Sequence, residues 1–451
     1  MIRAVVFLVG ILAFDASAIR RPAYGGVVRI AVSDGIATAD PGQAMTLGDW
    51  LVVGWVHRGL YQLRADGNPE PALLQSPCQR EARGRRWRCT LREDIRFHDG
   101  RALRAVDVKA ALQQAGSGER AWLRRFLTVQ TNGDWGLRLQ TARAMSSREF
   151  GLMLASPALV VPRPGTPRIG AGPFRLSRLR PDAGVAELLF AGGHYGGRPY
   201  IEGIVLTAGL TRDRVIEAYH YRQAEVVFVD SDRYGAARRL KGPWSRTVGL
   251  VARSGDGPMR SALFASAPRK GLAERITGTT RAATALTPGA ALISDTLPGS
   301  GRPPASAASP PARWFLGTSM SLETAAEWLA RALGPSGQTW PLQALDDAAV
   351  RQALDTPGRW DALLVQREHV DPLPEAALRS LAGWVRSPDV ATATRDMRWI
   401  PLVDQQRLAV MVPRLRGAYW TSDGLLRLGD SFFVQGGKSV QGGKSVQGGK
   451  P

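Results

Sequence analysis

The sequence predicts an α/β protein built from more than one domain. Its 451 residues are too many for one hydrophobic core, and an apolar content of 44% is ordinary for a folded soluble protein. Short β-branched runs alternate with segments of helical spacing. Residues 204–206 and 226–229 bracket a helix-like segment at 214–221, which is typical of a βαβ unit.

Residues 91–108 predict a strand, a turn and a helix in succession. Leu91, Ile95 and Phe97 alternate with polar residues, and Asp99-Gly100 is a pair that favours a tight turn. From Leu103 onward the apolar spacing becomes helical. We therefore expect a strand that ends at the turn and a helix that follows it.

The two ends of the chain predict export and a disordered tail. Arg3 precedes an apolar run at 4–14 and the small residues Ala16-Ser17-Ala18, which is the pattern of a cleaved signal peptide over 1–18. The run is too short to span a bilayer, and no Cys follows it to carry a lipid, so we expect a soluble periplasmic protein rather than a lipoprotein. Residues 434–451 repeat the unit VQGGKS, and so few apolar side chains predict a disordered tail.

The only cysteines, Cys78 and Cys89, flank a polar stretch with Gly84 near its middle. An even pair in an oxidising compartment favours a disulfide, and the stretch between them is suited to a hairpin that places the thiols on facing strands. The alternative is two unpaired thiols.

The formal net charge of +20 comes mainly from arginine. The electric field of so basic a protein attracts an anionic ligand, an anionic membrane surface or nucleic acid. Arginine-rich codon usage gives the same composition without any ligand. Export and the absence of zinc-finger or ribonucleoprotein motifs argue against nucleic acid. The five histidines are scattered, and no nucleophile elbow, zinc motif or metal-ligand spacing occurs, so we expect no enzyme, no metal site and no cofactor.

The order of motifs along the chain resembles that of the family 5 extracellular solute-binding proteins, which feed peptide and nickel ABC transporters. Besides residues 91–108, the resemblance rests on Gly170-Ala171-Gly172-Pro173-Phe174, on the Trp360-Asp361 strand and on the C-terminal strands, and it covers residues 25–433. The sequence departs from the family at His194-Tyr195, where members carry Tyr-Trp, and at Pro268-Arg269, where they carry Asp-Arg.

The resemblance implies an α/β, two-lobed periplasmic binding protein fold of class II, cluster C type, with an extra subdomain in the first lobe. It implies a first lobe over 19–249, with a small subdomain around 115–165, a second lobe over 250–400, and a return to the first lobe over 401–433. The hinge is then expected at two crossings, near Leu250 and near Pro401.

The resemblance also implies where ligand binds. In peptide-binding members an acidic residue pairs with the ligand's terminal ammonium, and Glu368 matches that place; the alternative is a surface carboxylate. Arg367 is expected to meet an anionic ligand or to face water, and Trp384 to border the cleft. Gly35, Ile36, Ala37 and Thr38 are a candidate ligand-bordering segment or an ordinary turn. Asp371 is expected to cap the helix that follows it.

The resemblance therefore implies a monomeric periplasmic substrate-binding protein of an ABC importer. It would bind a peptide or similar solute between two closing lobes and deliver it to a permease complex in the inner membrane. The alternative is a degenerate binding module that acts as a sensor, scaffold or partner-binding protein without a role in uptake.

Overall fold

The computed structural model describes residues 22, 24–229, 238–276, 279–283, 314–334, 338–355, 360–388, 390–396 and 398–434. The predicted signal peptide, and the predicted tail beyond Val434, lie outside the described residues. Within these ranges, no helix combines the length and apolar character needed to cross a membrane.

The first half of the chain forms a curved α/β unit with a small sheet at its side. Its elements are β1 Val27–Ala31, α1 Leu47–Val56, β2 Tyr61–Leu63, β3 Pro69–Pro71, β4 Gln79–Glu81, β5 Arg86–Thr90, α2 Ala105–Ala115, α3 Trp122–Phe126, β6 Leu127–Asn132, β7 Gly136–Thr141, α4 Ser147–Leu154, β8 Phe174–Arg180, β9 Val185–Phe190, β10 Gly203–Thr207, α5 Arg212–His220 and β11 Val226–Val229.

The second half forms a further α/β unit and then returns to the first. Its elements are β12 Arg238–Ala252, α6 Gly257–Ser266, α7 Arg269–Ala273, β13 Thr279–Ala282, β14 Leu316–Ser319, α8 Glu323–Leu333, β15 Leu342–Leu345, α9 Asp347–Asp355, β16 Ala362–Glu368, α10 Pro374–Trp384, α11 Val390–Asp396, β17 Trp399–Met411, β18 Leu415–Arg416, β19 Tyr419–Trp420, β20 Leu426–Arg427 and β21 Phe432–Phe433.

One large sheet runs through both halves in the order β15-β14-β16-β12-β17-β11-β1-β10-β9-β8, with β13 also paired to β17. We call the part around β1 and β8–β11 the first lobe, and the part around β13–β16 with α6–α9 the second lobe. β10 and β11 both lie parallel to β1, one on each side, and α5 connects them. The predicted βαβ unit is thus confirmed.

A smaller sheet, β4-β5-β7-β6, packs with α2, α3 and α4 around its own core and forms the side subdomain. The predicted disulfide is present: Cys78 and Cys89 are bonded, with their Cα atoms 4.4 Å apart at the start of the β4–β5 hairpin. Trp87 stacks on Phe150 within this core, with ring centroids 4.0 Å apart. The disulfide therefore joins a hairpin that is also held by aromatic packing.

Residues 91–108 form the predicted turn and helix, but the predicted strand is wrong. β5 ends at Thr90, and only isolated bridges follow it, at Leu91 and Arg96. Phe97 instead pairs its N–H with the carbonyl of Arg101 across the Asp99-Gly100 turn, so the segment folds back on itself. An alternating pattern shows which side chains are buried without showing whether a partner strand lies alongside.

Two long antiparallel strands, β12 and β17, connect the lobes. Gly249 pairs with Pro401, so the two crossing points expected from the resemblance lie opposite each other. The register shifts between Lys241 and Trp244 and between Trp244 and Arg246, which adds local bends to β12. The segment where the strands leave one lobe for the other is therefore irregular.

A buried polar band separates the apolar cores of the two lobes along these strands. Leu408 packs in the first lobe and Leu402 in the second, whereas Asp404 and Arg407 between them are buried polar residues. The Thr247 hydroxyl donates to Asp404 at 2.8 Å, which satisfies a carboxylate that has little access to water.

Candidate functional site

Two adjoining cavities lie between the lobes, with volumes of about 610 Å³ and 740 Å³. They share Met45, Leu354, Gln366, Glu368 and Trp384 as lining residues, so they are neighbours, and we call the two together the cleft. Met45 comes from the first lobe, and the other shared residues come from the segment 354–384. The cleft is therefore walled by both halves of the chain.

The ends of β16 and α10 bring the predicted residues of the second half into the first cavity. Glu368 is the last residue of β16, and Trp384 is the last residue of α10. The Arg367 guanidinium lies over the Trp384 ring, 4.6 Å from its centroid. Trp399 packs edge-on against Trp384, with ring centroids 5.3 Å apart, and so fixes this wall of the cavity.

Four charged residues meet where the two cavities join. Arg246 on β12 donates to Asp34 at 2.5 Å and, through Nε, to Glu368 at 2.6 Å. Arg407 on β17 donates to the other oxygen of Glu368. We call Asp34, Arg246, Glu368 and Arg407 the charge network; it links the first-lobe loop after β1 to the end of β16 through both connecting strands.

The amide of Gln366 adds a longer contact to the same network. Its Nε2 donates to Asp34 at 3.3 Å. Because two carboxylates face two guanidinium groups, the formal charges of the network cancel.

Electrostatics keep the Asp34–Arg246 pair of this network ionised. Burial alone would raise the pKa of Asp34, but the guanidinium groups of Arg246 and Arg407 outweigh it and hold that pKa below its usual range. For Arg246, burial lowers the pKa less than Asp34 and Glu368 raise it, so its pKa is raised overall. Asp34 and Arg246 therefore stay charged at neutral pH, as an ion pair.

The segment 35–38 only partly reaches the cleft. Gly35 lines the second cavity, whereas Ile36 is buried in the first-lobe core. The N–H groups of Ala37 and Thr38 donate to the buried Asp49 carboxylate, at 2.7 and 2.9 Å. Of these four described residues only Gly35 lines either of the two cavities, and Asp49 in the first turn of α1 holds the segment in place.

Asp371 does not cap a helix, so that prediction is wrong. α10 begins after Leu373, which makes no side-chain capping bond. The Asp371 carboxylate instead accepts from the Ser156 hydroxyl at 2.6 Å and lies 3.9 Å from Arg120. These contacts tie the second half of the chain to the side subdomain.

The structure thus brings Arg367, Glu368, Trp384 and Gly35 to one cleft. The sequence analysis missed the partners of Glu368, which are Arg246 and Arg407. A charged residue directly before an apolar run, as Arg407 is before Leu408 to Met411 in β17, was the available signal. Among the described residues, no group of three or more His, Cys, Asp or Glu side chains is placed to hold a metal ion.

Comparison with known proteins finds solute-binding proteins similar to this chain in sequence over part of its length and in fold over most of it. Residues 68–238 match the family model described as "Bacterial extracellular solute-binding proteins, family 5 Middle". The predicted resemblance to family 5 is thereby confirmed. No curated protein sequence matches the chain.

Solved structures share the fold over most of the chain at low sequence identity. The murein tripeptide binding protein MppA of Escherichia coli has a TM-score of 0.74 and 15% identity, over 92% of this chain and 100% of its own. MoaA from A. tumefacien R10, in complex with mannopinic acid, has a TM-score of 0.72 and 15% identity, over 92% and 100%. NikA from Staphylococcus aureus, in complex with Ni(L-His)2, has a TM-score of 0.70 and 14% identity, over 90% and 99%.

These likenesses establish the fold as two-lobed α/β, as the resemblance implies. They leave the solute of this chain to be inferred from its own cleft.

Proposed function

We propose that the chain is the periplasmic substrate-binding protein of an ABC importer, a monomer that holds a peptide or similar extended solute in the cleft between its lobes. The observation that carries this proposal is the cleft lined from both halves of the chain, with β12 and β17 as the strands that connect the lobes. Closure on a solute is selected when the solute contacts both lobes at once.

The proposed binding residues are those that line the cleft. Trp384 and Arg367 supply a flat, amphipathic wall, Glu368 lies at the junction of the two cavities, and Gly35 offers backbone on the first-lobe side. Organic solutes or their metal complexes occupy MoaA and NikA, and MppA is named for a tripeptide, which supports a small organic solute here.

The first test is native mass spectrometry of protein isolated from its own periplasm. We expect a solute mass bound at one equivalent, released on unfolding. Protein that carries no added mass, and that fails to bind any peptide offered to it, would instead favour the degenerate module that acts as a sensor or scaffold.

The second test locates the site by substitution. Trp384→Ala removes the wall shared by both cavities and is expected to weaken solute binding about tenfold or more, measured by calorimetry with the recovered solute. Trp360→Ala is the matched control, because Trp360 is also partly buried against the same core but lies outside both cavity linings. Equal effects of the two substitutions would contradict the assignment of the cleft.

A further inference from the structure

The charge network carries an inference about the solute, and this inference rests on the proposed function. Among the described lining residues, Glu368 is the carboxylate that lines both cavities, so a cationic group of the solute could approach it from either side. One of its oxygens accepts from Arg246 Nε at 2.6 Å, however, and the other accepts from Arg407. Both oxygens of Glu368 are therefore already paired with guanidinium groups.

The pairing of the strands fixes these two guanidinium groups beside Glu368. Arg246 lies directly opposite Glu368 in the register of β12 against β16. Arg407 lies between Gln406 and Leu408 on β17, where the register against β12 shifts, and such an irregularity re-aims a side chain. Because main-chain hydrogen bonds hold all three strands in register, these contacts do not depend on a bound solute.

The ion pairs of Glu368 are largely closed to solvent. The exposed fraction of the side chain is 7% for Glu368, 6% for Arg407 and 13% for Arg246. An ammonium group could take the place of one guanidinium group only by leaving that arginine buried without its counter-ion. Removing one partner of a buried ion pair is strongly unfavourable, so the free amine of a solute gains no affinity from Glu368.

The other described carboxylates of the two linings make contacts of their own. Asp34 belongs to the charge network through Arg246. Asp40 accepts the N–H of the residue two positions further on at 2.8 Å, and Asp346 accepts the N–H three positions further on at 2.7 Å, each within its own turn. Within the described linings, recognition of an amine between the two cavities would therefore depend on the charge network.

We propose that this protein binds its solute without recognising a free amine, and that Arg407 is the residue that determines this specificity. Arg407 occupies the second oxygen of Glu368 and completes the balance of two carboxylates and two guanidinium groups. A solute that lacks an amine then binds as tightly as the same solute with a free amine. Arg407 acts through Glu368, so it is a positioning residue that need not touch the solute.

The experiment compares two libraries of tetrapeptides with uncharged side chains and a C-terminal amide. One library has a free amine, and in the other a hydrogen atom replaces that amine, so the two differ little in size. Binding is measured by native mass spectrometry and competition calorimetry. Because a charge-assisted hydrogen bond to the amine would change affinity about tenfold or more, we expect dissociation constants that agree within about threefold.

The outcomes separate this inference from the proposed function. If the library with the free amine binds more tightly by more than this margin, recognition without the amine is overturned while peptide binding stands. If neither library binds, peptide binding itself fails, and the inference that rests on it falls too.

Substitution of Arg407 should create the missing preference. Arg407→Met leaves two carboxylates facing one guanidinium group, so one negative charge of the network becomes unbalanced. We expect the library with the free amine then to bind at least about tenfold more tightly than the library without it. Arg407→Lys keeps the positive charge beside Glu368 and should keep the two affinities equal.

Arg178→Met is the matched control for the loss of one arginine. Arg178 lies on β8, outside both linings, and pairs with Glu187 at 3.7 Å, so its substitution should leave the two affinities equal. A preference for the amine that is absent in Arg407→Met, or present equally in Arg407→Lys, would overturn the assignment to the charge of Arg407. The comparison of libraries on the unaltered protein decides whether the amine is recognised even if these variants do not fold.

Discussion

Buried histidines make the stability of this protein depend on pH. His57 is fully buried, and burial is the main cause that lowers its pKa to about 4. Burial likewise lowers the pKa of His194 to about 3 and lowers that of His98, and nearby positive charges add to all three shifts. Each ring is therefore neutral in the folded protein at pH values where the unfolded chain binds a proton.

The sign of the pH dependence of stability follows from this difference in protonation between the folded and unfolded states. Between pH 6.5 and about 4 the unfolded state gains a proton at His57 that the folded state does not, so the free energy of unfolding falls as the pH falls through this window. His57→Gln keeps a donor for the Ala39 carbonyl and should reduce the slope by up to about 1.4 kcal/mol per pH unit, measured by urea unfolding at several pH values.

His220 provides the matched control for this measurement. It lies exposed at the end of α5, so the change in slope that His220→Gln causes is the reference for replacing a histidine outside the core. If the slope is as steep in His57→Gln as in the original protein, then His57 does not stay neutral in the folded state.

At the residue scale, the sequence predicts part of the cleft and misses its charge balance. Arg367, Glu368 and Trp384 are found because they follow a recognisable strand motif at Trp360-Asp361. Arg246 lies 122 residues from Glu368 in the chain, and their ion pair depends on the register of β12 against β16. No local pattern encodes that register, so the sequence suggests an acid ready for an ammonium group where the structure shows a neutralised one.

The element that most depends on a covalent bond is the β4–β5 hairpin. β4 has only three residues, and its cross-strand face is largely exposed, so side-chain packing holds it weakly. Replacing both cysteines with alanine releases a loop with a sequence separation of 11 and should lower the free energy of unfolding by about 3 kcal/mol, as measured by urea unfolding.

The control for the hairpin is chemical reduction of the unaltered protein under the same conditions. Reduction removes the cross-link while it keeps both sulfur atoms, so it separates loss of the bond from loss of the two side chains. Equal stability of the oxidised, reduced and substituted proteins would mean that packing around Trp87 already fixes the hairpin.

At the element scale, the sequence predicts strands that are buried on both faces better than half-exposed ones. The runs at 204–206 and 226–229 become β10 and β11, because continuous apolar residues there fill the first-lobe core from both sides of the sheet. The run at 91–97 places three apolar side chains among polar ones, and there Phe97 and Arg101 bond each other instead of pairing with a neighbouring strand. The apolar pattern that predicts burial is local in the sequence, whereas the pairing of strands depends on residues that lie far apart in it.

At the scale of the whole molecule, α10 connects the second half of the chain to the side subdomain. Ala376 near its start packs in the subdomain core, and Leu381 near its end packs against β16. Arg143 of the subdomain donates to Glu375 through Nε at 2.9 Å, and a second donor of the same guanidinium also contacts that carboxylate. Opening of the cleft on this side therefore requires α10 to separate from one of its two neighbours.

This arrangement predicts how an ion pair controls the opening of the cleft. Glu375→Gln removes the charge that faces Arg143 and also the ion pair of Glu375 with Arg379 within α10. The Arg143–Glu375 pair is partly exposed, with side-chain exposures of 36% and 19%, so we expect a loss of about 1 kcal/mol from the closed arrangement. Without solute, small-angle scattering should then give a larger radius of gyration for Glu375→Gln than for the original protein.

Glu327→Gln, which breaks an exposed pair with Arg331 on α8, should give an unchanged curve. If both variants scatter as the original protein does, the Arg143–Glu375 pair does not hold the cleft closed.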